Sequence, residues 1–177
     1  MSTEAHQKYV AQSTSWVAEV DDQIVGFLCA ESAAKDLHIW ELAVRREWQG
    51  RGIGRRLMKT VLDHARQNGF VSVTLTTFRD VPWNEPFYRS LGFEIMDTEK
   101  IDSRLKQILD AEIQHGLPGN LRCVMQLIFH EYTSEKYLVD GFPFRRSLEE
   151  STPYSETPSP FPRIIHNTRG ATNAQHP

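Results

Sequence analysis

The sequence predicts one α/β (α+β) domain built on a mixed, mostly antiparallel twisted sheet with flanking helices. Two observations predict this class. Residues 15–44 consist of strand-length segments separated by short polar turns, which is typical of antiparallel strands. A strongly periodic helical segment then lies between two strand-like segments, and a helical crossover makes its flanking strands parallel neighbours.

The predicted domain begins with a hairpin and a third strand. Residues 15–20 alternate between apolar and polar, Asp21-Asp22 supplies a turn, and residues 23–31 return as the second strand. Residues 36–44 form a mostly apolar run of strand length. Residues 1–14 are polar and without pattern, so we expect a disordered N-terminus.

From Ile53 onward the apolar residues recur at helical spacing up to Ala65, and Asn68-Gly69 provides a stop. Residues 70–78 are rich in β-branched side chains, which favours a strand parallel to the third. Four further elements are predicted: a short helix near 85–91, a short strand at 93–96, an amphipathic helix spanning Ile101 to Ile113, and a last strand at 121–129.

The domain therefore spans residues 15–130, and residues 131–177 are predicted to be a disordered tail. This tail holds most of the prolines of the chain, mixed with serine, threonine and balanced charge. Such a segment buries too little apolar surface to offset its ordering entropy.

Composition argues against several classes of protein. The chain has 20 basic and 23 acidic residues and a net charge of −3, whereas a general nucleic-acid binder is more basic. No apolar run approaches the roughly 20 residues of a membrane span, and no signal peptide is visible. Cys29 and Cys123 lie far apart inside apolar runs, which indicates buried thiols rather than metal ligands. We expect a cytoplasmic protein that binds no metal, nucleic acid or membrane.

Residues 49–57, QGRGIGRRL, follow the third strand and lead into the helix. A helix N-terminus presents unpaired N–H groups and partial positive charge, and glycines let an anion approach the backbone. Arg51, Arg55 and Arg56 add full charge. The loop therefore predicts a phosphate site; the alternative is a tight turn with solvated arginines. The P-loop and the dinucleotide fingerprint both fail, because the Lys-Ser/Thr pair and the third glycine are missing.

The loop also fits the pattern Q/R-x-x-G-x-G/A through Gln49, Gly52 and Gly54, and in this it resembles the pyrophosphate signature of the GNAT acetyltransferases. The preceding strand, HIWELAV, and the later segment PFYRSLGFEIM resemble two further landmarks of that family. The resemblance covers Trp16 to Phe129. It implies a GNAT-like sheet whose parallel strand pair splays apart, with acetyl-CoA as cosubstrate and its pantetheine arm in the gap.

The resemblance also implies the residues that hold the cofactor. The pantetheine contacts would come from Leu42, Ala43 and Val44. The pyrophosphate contacts would come from the loop residues Gln49, Gly50, Arg51, Gly52, Ile53, Gly54 and Arg55. Asn84 would either contact the cofactor or cap the short helix, and capping is the favoured role.

For catalysis, the resemblance implies direct attack of the amine in a ternary complex. Tyr88 matches the family tyrosine that protonates the leaving thiolate; the alternative is a purely structural aromatic residue. His38 and Glu41 are rival general bases, and a water relay is the third option. Strict strand alternation puts His38 and Glu41 on opposite faces, so at most one of them would face the acceptor.

Relatives in that family begin with a strand and two helices before the hairpin, where this sequence has about fifteen unpatterned residues. The sequence therefore predicts an N-terminally shortened N-acetyltransferase for a small-molecule or peptide amine, with a homodimer as a candidate assembly. A non-catalytic CoA-binding or interaction module is the alternative, and a nucleotide-binding module is a third. The acceptor amine stays open.

Overall fold

The computed structural model describes residues 3–129 and 162–166, whose strands form one sheet with helices on both faces. The strands are β1 (Ser15–Val20), β2 (Gln23–Ala33), β3 (Asp36–Val44), β4 (Ser72–Phe78), β5 (Glu94–Ile95), β6 (Arg122–Ile128) and β7 (Arg163–His166). The α-helices are α1 (Thr3–Ala11), α2 (Ile53–Gln67), α3 (Asn84–Arg89) and α4 (Ser103–Gln114). Short 3-10 turns lie at Arg46–Trp48, Thr98–Lys100 and Gly119–Leu121.

The strand order is β5-β6-β4-β3-β2-β1-β7, and the β3–β4 pair is the parallel one among the described strands. Helix α2 connects β3 to β4, which is the crossover that the sequence predicted. The predicted mixed, mostly antiparallel sheet is confirmed, and the ends of the predicted elements between residues 15 and 129 differ from the observed ones by at most two residues.

The parallel pair is short. It runs from Asp36 opposite Ser72 to Ile39 opposite Leu75 and then stops. Beyond that point β3 stays paired with β2 as far as Val44, and β4 stays paired with β6 to its end at Phe78. The two strands therefore separate, and the edge of β3 from residue 40 to residue 44 has no partner strand on the β4 side.

A β-bulge lies where the two strands separate. Ala30 pairs with Ile39 and Cys29 pairs with Glu41, so Trp40 is an extra residue without a cross-strand partner. Residues 37 and 39 pack into the core on the α2 face, and so do residues 42 and 44, which shows that the bulge shifts the alternation by one. Glu41 therefore shares a face with His38. This corrects the prediction, made from strict alternation, that the two face opposite sides.

The sheet carries a core on each face. The larger lies under α2, where Leu57, Met58 and Val61 are fully buried. The smaller lies under α4, where Leu105 and Ile108 pack with Val124 and the bulged Trp40. Burying an aliphatic side chain contributes about 1.5–3 kcal/mol. The amphipathic periodicity of α2 and α4 thus fixes which side of the sheet each covers.

Two ordered elements lie in the ranges near the chain ends that the sequence predicted to be disordered. Helix α1 forms within residues 1–14; its Tyr9 is buried, and Lys8 pairs with Glu31 of β2 at 2.5 Å. Strand β7, within the predicted tail, pairs antiparallel with β1. The rest of the predicted tail, residues 131–161 and 167–177, lies outside the described residues. The domain limits 15–130 stay a prediction.

The helices in the described part of the chain are all too short or too polar to cross a membrane.

Candidate active site

A groove of about 470 Å³ lies where β3 separates from β4. The β3 edge, the loop before α2, and α3 supply its walls. The lining residues are Leu42, Val44, Trp48, Gln49, Gly50, Gly52, Ile53, Gly54, Arg55, Trp83, Asn84, Phe87 and Tyr88. The groove thus brings together most of the predicted cofactor contacts with Tyr88. Of the predicted cofactor contacts, Ala43 and Arg51 do not line it.

The loop needs glycine at two positions for reasons of backbone conformation. Gly50 has φ +75° and Gly52 has φ +76°, a region that other residues adopt at a steric cost. A Cβ atom at either position would meet nothing within 4 Å. The glycines therefore permit the turn and leave the backbone accessible from the groove.

Helix α2 begins without a side-chain cap. Its N-cap is Gly52, no side chain bonds to the first turn, and the first turn contains no acidic residue. The first intrahelical bond is from Arg56 N to the carbonyl of Gly52, at 3.0 Å. The N–H groups of the residues before Arg56 have no intrahelical acceptor and carry the positive end of the dipole. These are the properties of an anion site, and the groove opens beside them.

The arginines of the loop have different surroundings. Arg51 is exposed and stacks on Trp48, with its guanidinium carbon 4.5 Å from the ring centroid. Arg55 lines the groove and donates to Ser90 Oγ at 2.8 Å. Ser90 Oγ in turn donates to the carbonyl of Phe87. Arg55 therefore ties the start of α2 to α3 and holds the two walls of the groove together.

Gln49 makes a contact that its motif does not reveal. Its side-chain amide donates to the carbonyl of Val44 at 3.0 Å, across the Arg46–Trp48 turn. This bond satisfies the last carbonyl of β3 and fixes the geometry of the loop. Gln49 lines the groove, but in this structure its amide organises the strand end.

Tyr88 lies in an aromatic cluster at the floor of the groove. Its ring packs edge-on against Phe87, with centroids 5.1 Å apart, and against Phe93 at 6.0 Å. Burial raises the pKa of the Tyr88 phenol above its usual value of 10. The hydroxyl is therefore protonated at neutral pH and is a proton donor.

Asn84 is not the cap of the short helix. The N-cap of α3 is Trp83, no side-chain cap bond forms, and Asn84 is the first helical residue, which corrects the favoured prediction. Asn84 instead lines the groove together with Trp83, whose side chain is 71% exposed. Sequence reasoning missed both Trp83 and Trp48 as groove residues, because a tryptophan beside a turn has no positional signature.

His38 lies in a different cavity, of about 370 Å³, on the α4 face of the sheet. It is 1% exposed, and its Nδ1 is 2.9 Å from Thr74 Oγ1. Burial, with a smaller effect of the Arg104 charge, lowers the pKa of His38 to about 3. Its imidazole is therefore neutral at physiological pH and a weak proton acceptor. Glu41 is half-buried on the same face, at the point where the strands have separated.

The described residues contain no group of three or more His, Cys, Asp or Glu side chains placed to bind a metal ion, and the predicted absence of a metal stays a prediction. Cys29 and Cys123 are buried thiols, and burial raises the pKa of both, for Cys29 to about 12. They are therefore protonated and unreactive.

Comparison with known proteins agrees with this geometry. The sequence model of the acetyltransferase (GNAT) family matches residues 2–93. The chain belongs to this family. The matched region includes the glycine loop, the separating strand pair and Tyr88, so the resemblance that the sequence suggested is confirmed.

Several curated relatives are N-acetyltransferases. The chain is 33% identical over 90 residues to N-acetyltransferase 8F1 of Rattus norvegicus, covering 48% of this chain and 41% of the relative. It is 35% identical over 88 residues to N-acetyltransferase 8B of Homo sapiens, covering 46% and 39%. The chain therefore spans less than half the length of these relatives.

Solved structures show the same fold. N-acetylglutamate synthase from Neisseria gonorrhoeae, complexed with coenzyme A and N-acetyl-glutamate, aligns with a TM-score of 0.59 and 20% identity, over 73% of this chain and 28% of that one. Ard1 from Thermoplasma volcanium aligns with a TM-score of 0.56 and 21% identity, over 73% and 82%. At sequence identities this low, the comparison supports the GNAT fold alone.

Proposed function

We propose that this chain is an acetyl-CoA-dependent N-acetyltransferase that acts by direct attack of an amine in a ternary complex. The observation that carries the proposal is the groove itself. It joins an uncapped helix N-terminus, a strand edge without a partner and a protonated tyrosine in one continuous surface. Family membership and the names of the curated relatives support the same activity.

The groove residues fit the parts of acetyl-CoA. The accessible backbone of residues 50–55, at the positive end of α2, suits the pyrophosphate. The edge of β3 from Leu42 to Val44 offers backbone groups to the amides of pantetheine. When bound, acetyl-CoA supplies the thioester that donates the acetyl group. We propose Asn84 and Trp83 as additional groove contacts for it.

The transfer forms a C–N bond and breaks a C–S bond, so the protein must accept a proton from the amine and supply one to the thiolate. We assign proton donation to the thiolate to Tyr88, because its phenol is protonated and borders the groove. A positioned acid of this kind typically contributes about 10²–10⁴-fold.

For accepting the proton from the amine we favour Glu41 over His38, with a water relay as the other route. Glu41 lies past Ile39, the last residue of β3 that pairs with β4, and its face of the sheet is opposite to that of the groove residue Leu42. An amine arriving from the α4 face would therefore meet it at the gap. Burial lowers the pKa of His38 to about 3, which makes it a poor base near neutral pH.

The test measures acetyl-CoA binding by calorimetry and thiol release across a panel of amines. We expect Tyr88→Phe to lower kcat by about 100-fold while the Kd for acetyl-CoA changes little, because the ring keeps its packing and only the acid is lost. Glu41→Gln should lower kcat, because an amide cannot accept the proton of the amine. An unchanged rate in Tyr88→Phe would remove Tyr88 from the mechanism.

The same assay decides between this activity and the alternatives. A non-catalytic CoA-binding module would bind acetyl-CoA and acetylate no amine. A nucleotide-binding module would bind ATP or NAD but not CoA. The double variant Arg51→Glu, Gly52→Trp serves as the binding control, since bulk and negative charge in the loop should abolish affinity for acetyl-CoA. Unchanged affinity in this variant would refute the pyrophosphate assignment.

A further inference from the structure

The cavity on the α4 face reaches the place where β3 leaves β4 through one residue, the bulged Trp40. Trp40, which lines it, follows the last residue of β3 that pairs with β4. Trp40 packs in the α4-side core, whereas Leu42 and Val44 line the groove on the other face. The cavity and the groove therefore lie on opposite faces of the sheet, on either side of the segment of β3 that leaves β4. Resting on the proposed function, this cavity is where an acceptor would reach the thioester.

Two buried nitrogen atoms in this cavity have no hydrogen-bond partner among the described residues: Nε2 of His38 and Nη2 of Arg104. A buried polar atom without a partner is destabilising, and more so when the group is charged. The two residues are close enough for the charge of Arg104 to lower the pKa of His38. Both residues line the cavity, so its wall contains two buried nitrogen atoms without a partner.

The protonation of His38 suits an acceptor group at this place. Nδ1 of His38 contacts Thr74 Oγ1 at 2.9 Å, and the hydroxyl can donate to it. The single proton of the neutral ring then lies on Nε2, which becomes a donor beside the guanidinium. Two N–H donors, one of them charged, match the two oxygens of a carboxylate.

The acidic residues around the cavity already have partners. Glu31 accepts from Lys8 Nζ at 2.5 Å and from Trp40 Nε1 at 2.9 Å. Asp102 caps α4 by accepting from Leu105 N at 2.7 Å. Each of these carboxylates thus already has a partner, whereas Arg104 has no ion pair among the described residues. Polyamines and lysine side chains fit this surface poorly.

We propose that His38 and Arg104 form a subsite for a carboxylate on the acceptor, so that the preferred substrates are amino acids or other amines that carry a carboxylate. Arg104 is half-buried, and its long side chain can change rotamer to admit the ligand. Trp40 and Ile108 supply apolar walls for the rest of the molecule. His38 and Arg104 are thus positioning residues rather than proton carriers.

The test compares two ligand pairs that differ only in the carboxylate. L-Phenylalanine and 2-phenylethylamine are compared as acceptors, and N-acetyl-L-phenylalanine and N-acetyl-2-phenylethylamine are compared for direct binding by calorimetry in the presence of CoA. We expect the carboxylate to improve kcat/KM and Kd by roughly 10- to 100-fold, the effect of a hydrogen bond to a charged group. Arg104→Met should remove this preference. Lys106→Met, an exposed cation on the same helix, should keep it.

The outcomes separate this subsite from the proposed activity. Turnover without a carboxylate preference overturns the subsite and leaves the acetyltransferase activity standing. Carboxylate-dependent binding that is lost in Arg104→Met supports the subsite even if no amine is acetylated. A preference that survives in Arg104→Met, or no binding by either N-acetyl compound, overturns it.

Discussion

At the scale of single residues, Gly52 and Gly54 of the glycine loop differ in the backbone conformation that each adopts. Gly52 has a left-handed backbone and open space around a hypothetical Cβ. Gly54, two residues later inside α2, has no such φ, and a Cβ there would lie 3.7–3.9 Å from Phe87, Leu42 and Val44, an ordinary contact distance. Gly52 is therefore required by backbone conformation, whereas at Gly54 an alanine fits.

This contrast gives a matched pair of stability predictions. Gly52→Ala should lower the free energy of unfolding by about 1–2 kcal/mol, because alanine must adopt the left-handed conformation. Gly54→Ala should be neutral or stabilising by up to about 1 kcal/mol, because alanine is the better helix former. Urea unfolding of both variants checks this. Equal losses in the two variants would contradict the difference in backbone conformation.

Single residues also show which contacts a local sequence motif does not predict. The motif identified Gln49, but its bond to the Val44 carbonyl depends on the turn between them. Asn84 fits a cap by residue type, yet the helix begins at Asn84 itself, so Asn84 cannot be its cap. Arg104 carries no motif at all. Its importance emerges only because α4 packs on the face where His38 is buried.

At the scale of elements, α1 and β7 form where the sequence offered no periodic pattern. Helix α1 docks through the buried Tyr9 and the Lys8–Glu31 ion pair. Strand β7 pairs with β1, and its His166 stacks on Trp16 with ring centroids 5.0 Å apart. Short elements of this kind are stabilised by the surface that receives them, which a local window of sequence does not contain.

Two truncated chains isolate the contribution of β7. A chain that ends at residue 161 lacks β7, whereas one that ends at residue 167 retains it. We expect the shorter chain to be less stable by roughly 2 kcal/mol, because β7 covers apolar surface on β1. Its tryptophan fluorescence should also shift to longer wavelength, since Trp16, 2% exposed here, gains contact with water. Identical unfolding curves and spectra would show that β7 contributes nothing.

At the scale of the whole molecule, a buried neutral histidine links stability to pH. His38 titrates near pH 6.5 when unfolded and at about pH 3 in the folded protein. Between these values the unfolded chain binds more protons, so stability is lost as pH falls through this window. The Thr74 contact and the surrounding core hold the ring in place without compensating a charge on it.

We therefore expect acidification from pH 7 to pH 5 to lower the free energy of unfolding by about 2 kcal/mol through His38 alone. His38→Gln should lose this part of the pH dependence, which is measured as the difference between the two urea unfolding curves at each pH. His115→Gln, on the exposed end of α4, controls for the loss of an unburied imidazole. If the free energy of unfolding changed with pH in the same way in wild type and His38→Gln, the link between His38 protonation and stability would be disproved.

The sequence by itself determined the central sheet, the α2 crossover and the glycine loop. These features rest on local periodicity and on backbone demands that neighbouring residues encode. Only the tertiary structure decided the position of the bulge at Trp40, and with it the shared face of His38 and Glu41. It alone also decided which cavity each residue lines, because burial and cross-strand register arise from elements that are distant in sequence.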